Sequence, residues 1–68
     1  MGNHVNIKMK MRMVQLRMSN AELASRAGLT ATAISQIVNG HREPRLSTAL
    51  KIAQELQMSV EELFTEGE

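Results

Sequence analysis

Polar side chains that could act as nucleophiles, bases or metal ligands are not grouped for chemistry in this sequence. No spacing of serine or threonine with histidine and a carboxylate suggests an activated nucleophile, and no phosphate-binding loop occurs. His4 and His41 lack companion ligands and cysteine is absent, so no metal site is expected. The sequence therefore predicts no enzyme and no cofactor, which leaves hydrogen bonding to a partner as the chemistry to explain.

Three of the hydroxyl side chains have a structural use, because each stands where a helix would begin. Ser19 and Ser59 are each followed three residues later by glutamate, which is the pattern of a capping box. Thr30 occupies the same place in a third pattern, with Ala33 instead of glutamate, and predicts a simple N-cap. Apolar residues at the spacing of a hydrophobic staple surround all three caps and support three helix starts.

Glycine and proline mark the helix ends. Gly28 ends the first capped helix and Asn39-Gly40 the second, because glycine accepts the left-handed conformation. Pro44 excludes helix just before it, and a short last helix is expected from Val60 to about residue 65. Between them, helical spacing predicts an amphipathic helix whose apolar face holds Leu46, Ala49, Leu50, Ala53 and Leu56.

The segment IKMKMRM, residues 7–13, fits two structures. It alternates strictly, as a strand does, but methionine is not a favoured strand residue. We favour a helix over residues 6–17, and residues 3–7 could still pair as a strand. On that helix one apolar stripe, expected in the core, holds Met9, Met13 and Leu16, and an opposite stripe holds Ile7, Met11, Val14 and Met18.

Two of the predicted helices meet at Gly28 with the side chains that close packing requires. Ala24 is small where the second helix crosses the first, and Gly28 supplies the turn. The positions that face a core shared by two tightly joined helices are all apolar, namely Leu23, Ala27, Leu29, Ile34 and Ile37. Residues 20–39 therefore predict a helix-turn-helix motif.

With this motif, the stretches SNAELASRAGLTATAISQIVNGHREP and LSTALKIAQELQMSVEELF resemble the phage repressor and Cro-like (XRE) family of DNA-binding domains, from about residue 9 to residue 64. The resemblance implies a compact, all-α, five-helix repressor-like domain with a central helix-turn-helix. We expect one domain over residues 1–68, with short flexible ends at 1–5 and 65–68. The helix from about Ala31 to Asn39 would lie in the major groove of double-stranded DNA.

Two departures from the family pattern are informative. Family members commonly pair an arginine on the first helix with a glutamate late in the recognition helix, and here these places hold Met13 and Val38. Because neither charge is left without its partner, we predict a packing contact between the two apolar side chains. Gln57 stands where a glycine often ends the fourth helix, which predicts a strained turn costing about 1 kcal/mol.

The outward face of the recognition helix would read the bases with small and polar side chains. Gln36 can present its amide bidentately to adenine, and Thr32 can bond a base edge or touch a thymine methyl group. Ala31 fits against such a methyl group, and Ser35 shares the same face. The predicted base-reading residues are thus Ala31, Thr32, Ser35 and Gln36.

Basic loops and helix N-termini around the motif would hold the phosphates. Arginines flank the motif, and helix N-termini add backbone N–H donors. The resemblance places Asn20 where family members reach a phosphate or support the reading residues. The predicted positioning residues are Arg17, Ser19, Asn20, Thr30, Asn39, His41, Arg42 and Arg45.

Charge is divided unevenly along the 68 residues. Residues 1–51 carry +6 and residues 52–68 carry −5, within a net charge of +1. A basic body suits a polyanion met by one face, although ordinary solvated charge explains the pattern equally well. No apolar run suits a membrane span or a secretory signal, and cysteine is absent, so we expect a cytoplasmic protein with no membrane partner.

The resulting hypothesis is a homodimer that binds double-stranded DNA specifically and regulates transcription by occupancy. A dimer is expected because one motif reads few bases, and two-fold dimers match half-sites about 34 Å apart. The second stripe of Ile7, Met11 and Val14 is either a dimer or partner surface, or part of a core that wraps further around the helix. The alternatives are an antitoxin-type protein-interaction module with the same fold, and a non-specific architectural DNA binder.

Overall fold

Five α-helices make up the computed structural model, which describes residues 5–64. They are α1 (Ile7–Gln15), α2 (Asn20–Ala27), α3 (Ala31–Val38), α4 (Leu46–Leu56) and α5 (Val60–Phe64). The all-α, five-helix prediction is confirmed. Within residues 5–64 there is no strand, and Ile7 is already helical. Residues 3 and 4 of the alternative strand, and the predicted flexible ends apart from Val5, lie outside the described residues.

The helix-turn-helix begins both of its helices at the predicted caps. Ser19 Oγ accepts a hydrogen bond from the Glu22 N–H, and Thr30 Oγ1 accepts one from the Ala33 N–H, each at 3.0 Å. The capping box at Ser19 is only half formed, however. The Glu22 carboxylate pairs instead with Arg26, one turn later, at 3.0 Å, because an i,i+4 ion pair competes for the same side chain.

The capping box of α5 is complete. The Glu62 N–H donates to Ser59 Oγ, and the Ser59 N–H donates back to Glu62 Oε1, both at 3.0 Å. The N–H and hydroxyl of Ser59 lower the pKa of the Glu62 carboxyl, because both hydrogen bonds favour its charged form. A five-residue helix thus has a well-satisfied N-terminus.

Asn6 fixes the start of α1 and joins it to two other helices. Its side-chain oxygen accepts from the Met9 N–H, and its amide nitrogen donates to the Leu63 carbonyl in α5, both at 3.0 Å. Its backbone N–H donates to the Val38 carbonyl at the end of α3, at 2.7 Å. Asn6 therefore anchors the start of α1 to the end of α3.

The core confirms one stripe of α1 and corrects the other. Met9 and Met13 are buried, and Leu16 packs partly buried against the same cluster. Met18 also packs against this cluster, so its assignment to the second stripe was wrong. It follows α1 in the connecting turn, where helical spacing no longer determines its direction.

The apolar face of α4 differs from the prediction at two leucines. Leu46 and Leu50 are 69% and 53% exposed, whereas Ile52, which the prediction left out, is fully buried. Leu46 is the first residue of the helix, and Leu50 lies roughly 100° around the axis from Ala49. The buried face is centred instead on Ala49, Ile52, Ala53 and Leu56.

Gln57 adopts the left-handed conformation that the sequence predicted, with φ 59° and ψ 45° at the C-cap of α4. Gln57→Gly is expected to raise the free energy of unfolding by about 0.5–1 kcal/mol, because glycine has no Cβ strain there. Urea unfolding measures the change. Gln54→Gly, at an exposed position inside α4, is the matched control and should cost about 1 kcal/mol. A loss of stability in both variants would contradict the predicted strain.

Candidate nucleic-acid interface

The turn between α2 and α3 is made by the conformation of Gly28. It has φ 73° and ψ 32°, and the following Leu29 N–H donates to the Ala24 carbonyl at 2.8 Å. A Cβ built at Gly28 would meet nothing within 4 Å, so the need for glycine is conformational rather than spatial. The turn predicted from sequence is confirmed.

The turn packs α3 against α2, which leaves α3 with one buried and one exposed face. Ala33, Ile34, Ile37 and Val38 are buried, and they hold the helix against α2 and α1. On the other side, the predicted reading face of Ala31, Thr32 and Gln36 is exposed to solvent. The described part of the chain thus leaves this face open to a partner.

Ser35 differs from the other predicted reading residues. It is half-buried, and its Oγ accepts a hydrogen bond from the side-chain amide of Asn39 at 3.4 Å. The hydroxyl still has its own proton to donate. The pair links the reading face to the C-terminal end of α3, where Asn39 is a predicted phosphate contact.

A cavity of about 290 Å³ lies beside the motif, between α1, the start of α2 and the end of α3. It brings together three of the predicted positioning residues, Ser19, Asn20 and Asn39, and adds Lys10 from α1. Its apolar lining consists of Met13, Val14, Met18 and Val38. A cation from α1 and two polar residues at the start of α2 therefore line one concave surface, together with apolar side chains.

Lys10 was missing from the predicted set. Its neighbour Asn20 lies ten residues further along the chain, and only the packing of α1 against α3 brings the two to one cavity. The sequence held one indication of its place. Met13 was expected to meet the end of α3, and Lys10 lies one helical turn before Met13 on the same helix.

The other positioning residues lie around the motif but not in the cavity. Arg17, His41, Arg42 and Arg45 are all exposed. Arg17 has a φ of 55° in the turn after α1, and the His41 N–H donates to the Gln36 carbonyl at 2.8 Å. The hydroxyl oxygens of Ser19 and Thr30 accept the capping hydrogen bonds, so any phosphate contact there would come from hydroxyl protons or nearby N–H groups.

Ion pairing leaves most of this basic surround available. Within residues 5–64, salt bridges within 4.0 Å involve Arg26, which meets Glu22 at 3.0 Å and Glu55 at 4.0 Å. Arg26 was not a predicted contact. The cations that were predicted, and Lys10, have no carboxylate partner in the part of the chain described.

Met13 and Val38 replace the ion pair of the family pattern with apolar surface. Each is 6% exposed, and both line the cavity beside the motif. Their burial agrees with replacement by packing. The direct side-chain contact stays a prediction.

Residues 9–63 match the family described as helix-turn-helix. The chain belongs to this family, and its domain is of the phage repressor or XRE type. The family and the fold are those of DNA-binding transcription regulators. None of the helices within residues 5–64 has the length and apolar composition needed to cross a membrane.

Two solved structures show the likeness in detail. The P22 c2 repressor protein, in complex with the synthetic operator 9T, superimposes with a TM-score of 0.86 at 26% identity, over 91% of this chain and 94% of that one. The SinR protein, in a SinR/SinI protein complex, gives a TM-score of 0.81 at 25% identity over 91% of this chain, which spans 61% of the matched chain. No curated protein sequence matches the chain.

Proposed function

We propose that this chain is a sequence-specific regulator of transcription that binds double-stranded DNA as a homodimer, with α3 in the major groove. The observation that carries the proposal is the exposed face of Ala31, Thr32 and Gln36 on a helix whose opposite face is buried. The fold shared with a repressor described on a synthetic operator supports it. Regulation would follow from occupancy of the DNA, without chemistry.

Base reading would rest on hydrogen bonds and methyl contacts. The Gln36 amide offers a donor and an acceptor, which match the major-groove edge of adenine, and Thr32 offers a hydroxyl and a methyl group. Ala31, in the first turn of α3, lets the backbone approach a thymine methyl group. Ser35, held by Asn39, adds a donor nearer the edge of this face.

Phosphate contacts would position α3 without reading sequence. The cavity with Lys10, Asn20 and Asn39 lies on one flank of the motif, and the loop with Arg42 and Arg45 follows the C-terminal end of α3. Such contacts fix register on the duplex. They also make affinity fall with salt, because counterions are released on binding.

Arg42→Ala and Arg45→Ala are each expected to weaken binding to all sequences alike. Each should reduce the slope of log K against log salt concentration by about 1, because one phosphate contact is lost. Fluorescence anisotropy over a salt series, on a selected site and on random duplex, measures both effects. Lys51→Ala is the matched control, since it removes an exposed cation outside the proposed contacts. An equal change of slope in the control would contradict a localised phosphate contact.

Selection of bound sites from a random duplex pool tests the proposed function. We expect an enriched two-fold symmetric site whose half-sites lie about 34 Å apart, because a two-fold dimer places its recognition helices one helical turn apart. Recovery of unenriched DNA would indicate the non-specific architectural binder. Recovery of no DNA would reject the DNA-binding proposal.

A further inference from the structure

The first helix has a second apolar face that the described chain does not cover. Ile7 and Met11 are each 56% exposed and Val14 is 72% exposed, on the side of α1 opposite the buried Met9 and Met13. We call Ile7, Met11 and Val14 the α1 ridge. Exposed apolar side chains that adjoin one another on a helix face form a patch of the kind that can bind a partner.

Positive charge borders the α1 ridge on both sides. The helix contains Lys8, Lys10 and Arg12 and no acidic residue. Helical spacing places Lys10 on one side of the ridge and Lys8 on the other. Arg12 lies further round, where its guanidinium donates to the Leu56 carbonyl at 2.8 Å.

Neither border of the ridge forms a salt bridge within 4.0 Å among residues 5–64. Glu62 of α5 is near enough to Lys8 and Arg12 for both cations to help lower its pKa. Lys10, on the opposite border, has no carboxylate within 4.0 Å among the described residues. Both borders are therefore positively charged, and Glu62 offsets part of the charge on the Lys8 side.

The Lys10 side of the ridge also opens into the cavity. Val14 belongs to the ridge and to the cavity lining, together with Met13, Met18 and Val38. A volume of about 290 Å³ is ample for one large apolar side chain. The ridge offers a partner apolar surface to pack on, and the adjoining cavity can accept one of the partner's side chains.

We propose that the α1 ridge binds an acidic amphipathic helix of a partner protein. Its apolar face would pack on Ile7, Met11 and Val14, and one of its larger side chains would enter the cavity. This partner and a DNA phosphate at Lys10 would therefore exclude each other. Carboxylates along that helix would face Lys10 on one side and Lys8 on the other. A second copy of this chain fits the ridge poorly. If two α1 helices paired through it, their lysines would come together, and α1 has no acidic residue to match them.

A synthetic amphipathic peptide tests this proposal on the complete 68-residue chain without DNA, so the result does not depend on the proposed function. The probe is a helix of about 18 residues with leucines at i, i+3, i+4 and i+7 spacing and glutamates beside them. We expect calorimetry to give a Kd below about 100 μM. A matched peptide with lysine at every glutamate position should bind at least ~10-fold more weakly.

Variants at the ridge connect the binding to this face. Met11→Glu should weaken binding of the acidic peptide at least ~10-fold, whereas Met11→Leu should keep it. Both changes are at a position 56% exposed, and an unchanged circular dichroism spectrum and urea midpoint verify that each variant is folded. Equal affinity for the two peptides, or no effect of Met11→Glu, would overturn the proposal. A concentration-dependent dimer that Met11→Glu converts to monomer would also overturn it, because a second copy would then cover the ridge.

Discussion

Ile34→Ala is expected to lower the free energy of unfolding by about 2–5 kcal/mol, as truncation of a fully buried aliphatic side chain does. Ile34 is 0% exposed and belongs to the core cluster that contains Leu23, Ala24 and Ala27 of α2. A domain of this size has a total stability of only about 3–10 kcal/mol. The variant should therefore lose a large part of this total, and the packing that fixes α3 against α2 should weaken.

Urea unfolding followed by circular dichroism measures this loss, and two further variants calibrate it. Ile34→Val removes one methylene group and should cost about 0.5–1.5 kcal/mol. Leu50→Ala removes a larger group from a side chain that is 53% exposed, and should change stability by no more than about 0.5 kcal/mol. If Leu50→Ala lowered the free energy of unfolding more than Ile34→Val, Leu50 would have to be buried. The buried face of α4 would then have been assigned incorrectly.

Features controlled by near neighbours could be predicted from sequence. The caps at Ser19, Thr30 and Ser59 all form, and Gly28 and Gln57 are both left-handed. Each of these outcomes depends on backbone groups within about four residues, which the sequence displays directly. A capping residue or a helix-ending glycine is informative for that reason.

Features decided by packing between distant segments were predicted less well. The Leu46–Leu50 face of α4 has ordinary helical spacing, but Ile52 is the residue that the neighbouring helices cover. Asn6 donates hydrogen bonds to carbonyl groups of α3 and α5, and no local sequence pattern predicts these contacts. Glu22 shows competition even at short range, because Arg26 takes the carboxylate that the capping box needed.

The candidate site divides in the same way. The exposure of Thr32 and Gln36 followed from the apolar positions that turn the other side of α3 inward. Lys10 could not be found by that argument, because its place beside Asn20 depends on how α1 packs against the motif. The α1 ridge was visible as a stripe, but only the fold distinguished a surface from an extension of the core.

Gln36→Ala should then produce the largest functional effect that leaves the fold intact. On a selected site, binding is expected to weaken by about 1–3 kcal/mol, or roughly 5- to 150-fold, because a bidentate contact to one base is lost. Binding to random duplex should hardly change, since phosphates dominate non-specific affinity. Gln36 is exposed, so the urea midpoint of the variant should match that of the original chain.

Specificity, rather than affinity alone, decides what Gln36 does. Repeating the site selection with Gln36→Ala should relax one base pair in each half-site and leave the others unchanged, because a single side chain reads a single position. Gln54→Ala, an exposed glutamine of α4 outside the interface, should leave every position as it was. If selected and random DNA lose affinity together in the Gln36 variant, this amide contacts the backbone. The reading of sequence would then have to come from Ala31, Thr32 and Ser35. The methyl groups of Ala31 and Thr32 can distinguish thymine, but none of the three residues has the amide donor and acceptor pair that defines adenine.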